Sequence, residues 1–187
     1  MKRKRIRDLS EEEWAGIHGE QDLAAVMPRV REIIAGVKNR GDAALLEYTE
    51  AFDHVKLKEI EVRPEEIDTA KRNVDETTVQ CIEAASTAIR KFHYRQKRRA
   101  WLEEFSAGIF LGEIFVPFEV IGAYVPASYF SSALMCVIPA KIAGVREIVV
   151  CTPPRTDGTV DPLTLVAAEI AGATRIFKAG GAQAIAA

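Results

Sequence analysis

The second half of the chain alternates between strand-like and helix-like segments, and this order constrains the fold more than any other feature. Apolar and β-branched runs occur at "VIGAYVP", "EIVVCTPP" and "TRIFKAGG". Helix-like segments follow each of them at "SSALMCVIPAKIAG", "DPLTLVAAEIAG" and "AQAIAA". A β-α-β-α-β-α order predicts an α/β fold: a Rossmann-like, mostly parallel sheet with right-handed crossovers and helices on both faces.

Residues that favour helix ends mark the boundaries of these helices. Asp161 is predicted to cap the helix that begins at Pro162, and Gly172 is predicted to end it. In the preceding helix the cap is predicted to be Ser131 or Ser132. Pro117 is predicted to break the β-rich stretch before these elements into two strands, because proline has no N–H for a ladder.

The first half of the chain has the apolar spacing of helices. One helix is predicted to end at "NRG" (residues 39–41), and Asp42 is predicted to cap the next. Another begins at Pro64 after a short strand at "LKEIEV", and a long one runs from Asp75 to about Arg98. A capping box at Ser10–Glu13 predicts an earlier helix start. We therefore expect a helical N-terminal arm over residues 1–105 and a Rossmann-like half-domain over residues 106–187.

Charge and composition exclude several classes of function. The net charge is -2, and no apolar run approaches the roughly 18 residues of a membrane span. The basic N-terminus lacks the apolar stretch of a secretory signal. Three cysteines without a CxxC pair predict buried free thiols, which favours a cytoplasmic protein with no membrane partner. The basic stretch "RKFHYRQKRR" favours a solvated helix end over a nucleic-acid site, since the chain is net acidic.

A ligand site is predicted at the carboxyl edge of the sheet, where the loops after successive parallel strands meet. These loops are "YVPASYFSS" (residues 124–132), "CTPPRTDG" (residues 151–158) and "KAGGAQ" (residues 178–183). The alternative is ordinary turn chemistry, because every such sheet has loops at this edge and the GxGxxG fingerprint is absent.

Four motifs in this order resemble the histidinol dehydrogenase family: "GAYVP", "SSALM", "IPAKIAGVREIVVCTPP" and "GGAQAIAA". The stretch "VREIIAGVKNRGDAALLEYTEAFD" is similar to the N-terminal helices of that family, so that the resemblance covers about residues 20–187. The resemblance implies a zinc-dependent, NAD-linked oxidation of L-histidinol to L-histidine by an intertwined homodimer. It also implies that this chain corresponds to the N-terminal portion of such an enzyme, as a truncated or divergent homologue.

The resemblance assigns roles to a few positions. Tyr124 and Gln183 match positions that contact NAD, and Ser131 matches a substrate-side position. The zinc ligands and the acid/base pair of the family lie outside the matched part, so we expect no catalytic and no metal-binding residue here. The loop "PASYFS" (residues 126–131) is shorter than the family form PGGxAxxxS and lacks both glycines.

These departures shape the functional expectation. We expect a chain that is inactive alone, with weak or vestigial NAD binding, and that forms a dimer or pairs with a separate C-terminal half. A non-catalytic cofactor-binding or assembly module is the alternative, and a nucleic-acid-binding protein using the basic helix is a third hypothesis.

Overall fold

The structure, a computed structural model, describes residue 10 and residues 23–187. In the first half, the described residues form helices α1 (Leu23–Arg40), α2 (Asp42–Asp53), α3 (Pro64–Asn73) and α4 (Glu76–Tyr94). A hairpin follows, made of β1 (Trp101–Ser106) and β2 (Ile109–Glu113). The remaining elements are β3 (Val120–Tyr124), α5 (Phe130–Ala143), β4 (Glu147–Thr152), α6 (Pro162–Ala171), β5 (Arg175–Lys178) and α7 (Gly181–Ala186).

The three strands β3, β4 and β5 form a parallel sheet in that order, as the sequence predicts. In β4, Ile148 and Val150 point into the main core, whereas Val149 and Cys151 lie half-buried on the opposite face. The main core joins one face of the sheet to α5 and α6, with α3 and α4 packed behind them. On the other face Phe177 packs against a second, smaller cluster built by α1, α2 and α7.

The helix ends of the second half follow the predicted chemistry in one helix and depart from it in another. The Asp161 carboxylate accepts from the backbone N–H of Thr164 at 3.2 Å, and Gly172 ends α6 at φ 102°. The prediction that Ser131 or Ser132 caps α5 is wrong. A turn closed by the Tyr129 N–H on the Pro126 carbonyl (3.2 Å) makes Tyr129 the cap residue, and both serines fall inside the first turn.

In the first half, Asp42 is likewise not the cap of α2. Gly41 takes that position at φ 55°, and its carbonyl accepts from the Ala44 and Leu45 N–H groups. Its own N–H donates to the Val37 carbonyl, so that the same residue ends α1 and begins α2. Asp42 instead lies in the first turn, where its charge suits the helix dipole. Asp75 does cap α4, accepting from the Thr78 N–H at 2.9 Å.

Several boundaries differ from the prediction. Helix α4 ends at Tyr94 rather than near Arg98. The predicted strand at residues 57–62 makes one antiparallel bridge, between Glu61 and Phe177, and so extends the edge of the sheet at β5. The capping box at Ser10–Glu13 lies outside the described residues except for Ser10 itself. None of the helices in the described part is long and apolar enough to cross a membrane.

The hairpin projects from the body of the fold, and every residue in both of its strands is exposed. Strand β1 was not predicted, whereas the break at Pro117 is confirmed, since β2 ends at Glu113 and β3 begins at Val120. The division of the chain at residues 105 and 106 stays a prediction.

Candidate functional site

An open cleft of about 1100 Å³ runs along the sheet face that α5 and α6 leave uncovered. Across this face the strand register aligns Tyr124 with Cys151 and Cys151 with Phe177. All three side chains line the cleft, together with Ala184 and Ile185 of α7. The cleft therefore includes the carboxyl end of the sheet, where a ligand site was predicted.

Tyr124 is the last residue of β3 and lies half-buried in the wall of the cleft. Its ring can present a flat apolar face with a polar hydroxyl tip, which suits contact with an aromatic ring of a ligand. Strand β3 also contacts α7, so that Tyr124 lies on an element next to the one that carries Gln183.

Gln183 lies in the first turn of α7 and is almost completely buried, at 1% exposure. Its Oε1 atom has no hydrogen-bond partner. The side chain folds back over the turn that begins the helix, since a Cβ on Gly181 would lie only 2.7 Å from that oxygen. Gly181 itself has φ 61°, which glycine adopts without strain. The structure thus brings the elements of Tyr124 and Gln183 together, while their side chains face the cleft and the turn respectively.

Ser131 is placed differently. It lies exposed in the first turn of α5, and it is not part of the cleft wall. The structure does not bring Ser131 together with Tyr124 and Gln183 in one cavity of this chain.

An ion pair between β5 and α3 lies directly before the turn that connects β5 to α7. Lys178 is 7% exposed, and its Nζ lies 3.0 Å and 3.1 Å from the two carboxylate oxygens of Glu66 on α3. Because Lys178 directly precedes the Ala179–Gly181 turn, this contact fixes where the turn leaves the sheet.

One polar residue of α2, Asp53, reaches the same turn, and a second, the buried Thr49, precedes it on the helix; sequence reasoning missed both. Asp53 Oδ1 lies 3.5 Å from the position of a Cβ on Gly180, and Thr49 is one helical turn earlier. Burial raises the pKa of the Asp53 carboxyl, and the charge of His54 opposes that shift only in part. Their spacing of four residues places them on one helix face, but nothing in the sequence shows that this face meets α7.

The described residues contain no group of three or more His, Cys, Asp and Glu side chains that could hold a metal ion. The donor set of this part of the chain therefore does not fit a zinc site. The prediction of buried thiols is wrong for Cys81 and Cys136, which lie on outward helix faces, whereas Cys151 is half-buried and its pKa is raised by burial.

The basic stretch after residue 89 has a structural contact at its start. Arg90 Nη2 donates to the carbonyls of Ile170 and Ala171 at 2.7 Å and 3.0 Å, and so satisfies the C-terminal end of α6. This contact gives Arg90 a structural role, whereas the preference for a solvated helix end over a nucleic-acid site in the rest of the stretch stays a prediction.

The fold and the cleft define an α/β protein with a Rossmann-like parallel sheet and a ligand-sized opening at its carboxyl edge. Comparison with known proteins gives the family. The family model described as histidinol dehydrogenase matches residues 17–187. The histidinol dehydrogenase of Methanosarcina mazei is 44% identical, with 97% of this chain and 43% of the relative covered. That of Geobacillus kaustophilus is 48% identical over 84% of this chain and 38% of its own length.

A solved structure agrees with these relatives. The histidinol dehydrogenase of Elizabethkingia anophelis superposes with a TM-score of 0.83 at 35% identity, covering 95% of this chain and 42% of that one. The chain belongs to the histidinol dehydrogenase family. It spans about two fifths of the length of these relatives.

Proposed function

We propose that this chain supplies the NAD-contacting edge of a histidinol dehydrogenase, the enzyme class that oxidises L-histidinol to L-histidine. The observation that carries the proposal is Gln183, a buried amide at the carboxyl edge of the sheet whose Oε1 lacks a partner. Buried acceptors are normally hydrogen-bonded, so an unpaired one can accept a hydrogen bond from a bound ligand. We also propose a cytoplasmic location, which the three unpaired cysteines support.

In this proposal the residues of the chain bind and orient the cofactor. Tyr124 provides an apolar face for a ring of the dinucleotide, and the Gln183 amide can donate and accept toward it. Ser131 lies outside the cleft of this chain, so its proposed substrate contact requires a site completed by another segment or subunit. Bound NAD would supply the hydride acceptor for the alcohol oxidation.

The chain alone is proposed to be inactive. Oxidising an alcohol requires a base for the hydroxyl proton as well as a hydride acceptor. Of the carboxylates that line the cleft, Glu61 and Glu147 are paired with Arg175, and Glu147 begins β4, at the opposite end of the sheet from Tyr124. The donor set of the described residues does not fit zinc. The missing roles would come from a separate C-terminal half or from the remaining length of a longer protein.

An activity assay tests this division of roles. Purified, zinc-loaded chain given NAD and L-histidinol should form no NADH. Adding the separately produced C-terminal portion of the Methanosarcina mazei relative should produce NADH formation. Turnover by the chain alone would refute the proposed inactivity, and continued inactivity of the stable, mixed complex would refute the proposed role.

The affinity for NAD is proposed to be weak, near millimolar or about -4 kcal/mol, because an open cleft buries little of its ligand. A calorimetric or NMR titration should show that Tyr124→Ala and Gln183→Ala each weaken binding. Tyr94→Ala removes an exposed tyrosine of α4 and should leave binding unchanged. Micromolar affinity would refute weak binding, and equal affinity in all variants would place the ligand elsewhere.

A second candidate, an assembly module, is favoured by the exposed hairpin. Its strands expose large apolar side chains, among them Leu102, Phe105 and Phe110. Contiguous apolar surface of this kind is typical of protein interfaces. We therefore propose that the chain forms a homodimer or pairs with a C-terminal half through this surface.

A further inference from the structure

Three buried side-chain oxygens in the described part of the chain have no hydrogen-bond partner: Thr49 Oγ1, Asp53 Oδ2 and Gln183 Oε1. Thr49 and Asp53 lie one turn apart on α2, and Gln183 lies on α7, which contacts α2. Leaving a buried polar atom unpaired costs about 1–3 kcal/mol. Their occurrence on two helices in contact indicates a missing partner rather than unrelated packing defects.

The turn between β5 and α7 connects these groups. Gly180 has no side chain, and a Cβ there would lie 2.8 Å from Pro153 Cβ and 3.5 Å from Asp53 Oδ1. At the next residue, a Cβ on Gly181 would lie 2.7 Å from Gln183 Oε1. The two glycines therefore let Pro153 and the Gln183 amide pack directly against the backbone of the turn, which brings the Asp53 carboxylate and this amide to the same short segment.

The unpaired oxygens of Thr49, Asp53 and Gln183 favour a ligand that donates hydrogen bonds rather than a metal ion. Asp53 forms no ion pair with another described residue that would neutralise it, and its carboxylate is acceptor-only when ionised. The Gln183 Oε1 atom is a second acceptor, and the Thr49 hydroxyl both donates and accepts. The vicinal hydroxyls of a ribose match this set, since carboxylates in nucleotide sites of α/β sheets bind ribose hydroxyls.

We propose that Asp53 is a ligand-contacting residue of the nucleotide site and accepts hydrogen bonds from ribose hydroxyls of the bound dinucleotide, beside Gln183. This inference rests on the proposed function, because it names a further residue of the same site. Asp53 is only half-buried, so its carboxylate can turn about χ2 toward a ligand over the Gly180–Gly181 turn. Burial raises the pKa of this carboxyl despite the opposing charge of His54, and Asp53 forms no ion pair with a described residue, which accords with a group that binds a ligand rather than a structural ion-pair partner.

Two variants of the full 187-residue chain separate a ligand role from a structural one. Asp53→Asn keeps the shape but removes the charge, and Asp68→Asn makes the same change at an exposed site on α3. NAD is titrated into ¹⁵N-labelled protein while the Gly180 and Gly181 amide signals are followed, and the urea midpoint of each variant is measured. We expect Asp53→Asn to weaken NAD binding about tenfold and to raise the urea midpoint, since an unpaired buried charge is removed. Asp68→Asn should change neither.

Each outcome decides the inference. If the unsubstituted chain binds NAD and Asp53→Asn binds it equally well, the role of Asp53 is refuted while the proposed function stands. A lower urea midpoint together with weaker binding in Asp53→Asn would assign a structural role instead. An unsubstituted chain that shows no shift at Gly180 or Gly181 with NAD would overturn the proposed function and this inference together. An NAD analogue without ribose hydroxyls should bind the unsubstituted chain and Asp53→Asn with equal affinity, and a remaining tenfold difference would refute the ribose contact.

Discussion

The ion pair between Lys178 and Glu66 should control the stability of the turn that carries the candidate site. Glu66→Gln keeps the volume of the side chain and an oxygen acceptor, but it leaves the Lys178 ammonium without a countercharge. Both Nζ–oxygen distances in this pair are near 3 Å, at 3.0 Å and 3.1 Å, and the lysine side chain is only 9% exposed. The cost of a buried charge without its partner falls on the strand end that precedes Gly180 and Gly181.

The magnitude follows from the burial of the two partners. Removing one partner of a buried ion pair costs about 3–5 kcal/mol. The Glu66 side chain is 21% exposed, and glutamine still accepts from Lys178 and from the Arg63 N–H, which Glu66 receives at 3.0 Å. These two facts reduce the expected cost to about 2 kcal/mol. For a chain of this size that loss lowers Tm by about 4–8 °C.

Urea unfolding followed by circular dichroism measures this cost. Glu65→Gln is the matched control, because it makes the same change on the same helix at an exposed position. In the double variant Glu66→Gln with Lys178→Met, the loss should be smaller than the sum of the single losses, since the unpaired ammonium is then absent. A loss below about 0.5 kcal/mol for Glu66→Gln would match an exposed ion pair and refute the reasoning from burial.

Three further predictions concern the turn, the hairpin and pH. Gly181→Ala should lower the free energy of unfolding in urea by about 1–2 kcal/mol, because Gly181 has φ 61° and an added Cβ would lie 2.7 Å from Gln183 Oε1. Gly122→Ala is the control, since no atom lies within 4 Å of its Cβ position, and equal losses in the two variants would contradict the argument. Phe110→Ser should shift sedimentation of the chain toward a 20.6 kDa monomer if the hairpin is the interface, and an unchanged oligomer would exclude this contact. Asp53→Asn should be more stable than the unsubstituted chain at neutral pH. Because burial raises the folded pKa of Asp53, the gain should vanish as pH falls through that pKa toward its ordinary value, and a gain that grows in acid would refute it.

Local signals predicted the parallel sheet correctly because its elements carry their own boundary residues. Gly144 and Gly172 end α5 and α6 with φ of 96° and 102°, and Asp161 caps α6 through its own side chain. These choices depend on residues within one turn of the boundary, so they are visible in the sequence. The hairpin was only half predicted. Strand β1 contains the adjacent residues Glu103 and Glu104, so its apolar residues do not alternate with polar ones as in a half-buried strand, and all of its residues are exposed.

The candidate site was less predictable because it depends on contacts between distant elements. Tyr124 and Gln183 came from the family resemblance, and their roles stay predictions. Asp53 could not be found in this way, because its importance arises only when α2 packs on α7 and brings its carboxylate to Gly180, which is remote in sequence. Unpaired buried atoms are a property of tertiary packing, and no spacing rule along the chain reports them.

The loop at residues 126–131 shows how local chemistry and tertiary demand can disagree. Its lack of glycine predicted an altered ligand site, since glycine adopts positive φ without strain. In the structure the backbone still takes a left-handed position there, at Ser128, with φ of 63°. A residue other than glycine in this region costs about 1 kcal/mol or more, so the surrounding turn must impose the conformation. The hydrogen bonds from the Tyr129 N–H to the Pro126 carbonyl and from the Ser132 N–H to the Tyr129 carbonyl, at 3.2 Å and 2.8 Å, do so directly. The loop therefore keeps a left-handed turn at the start of α5 without glycine, and Ala127 and Ser128 place a Cβ beside the backbone where glycine would have none.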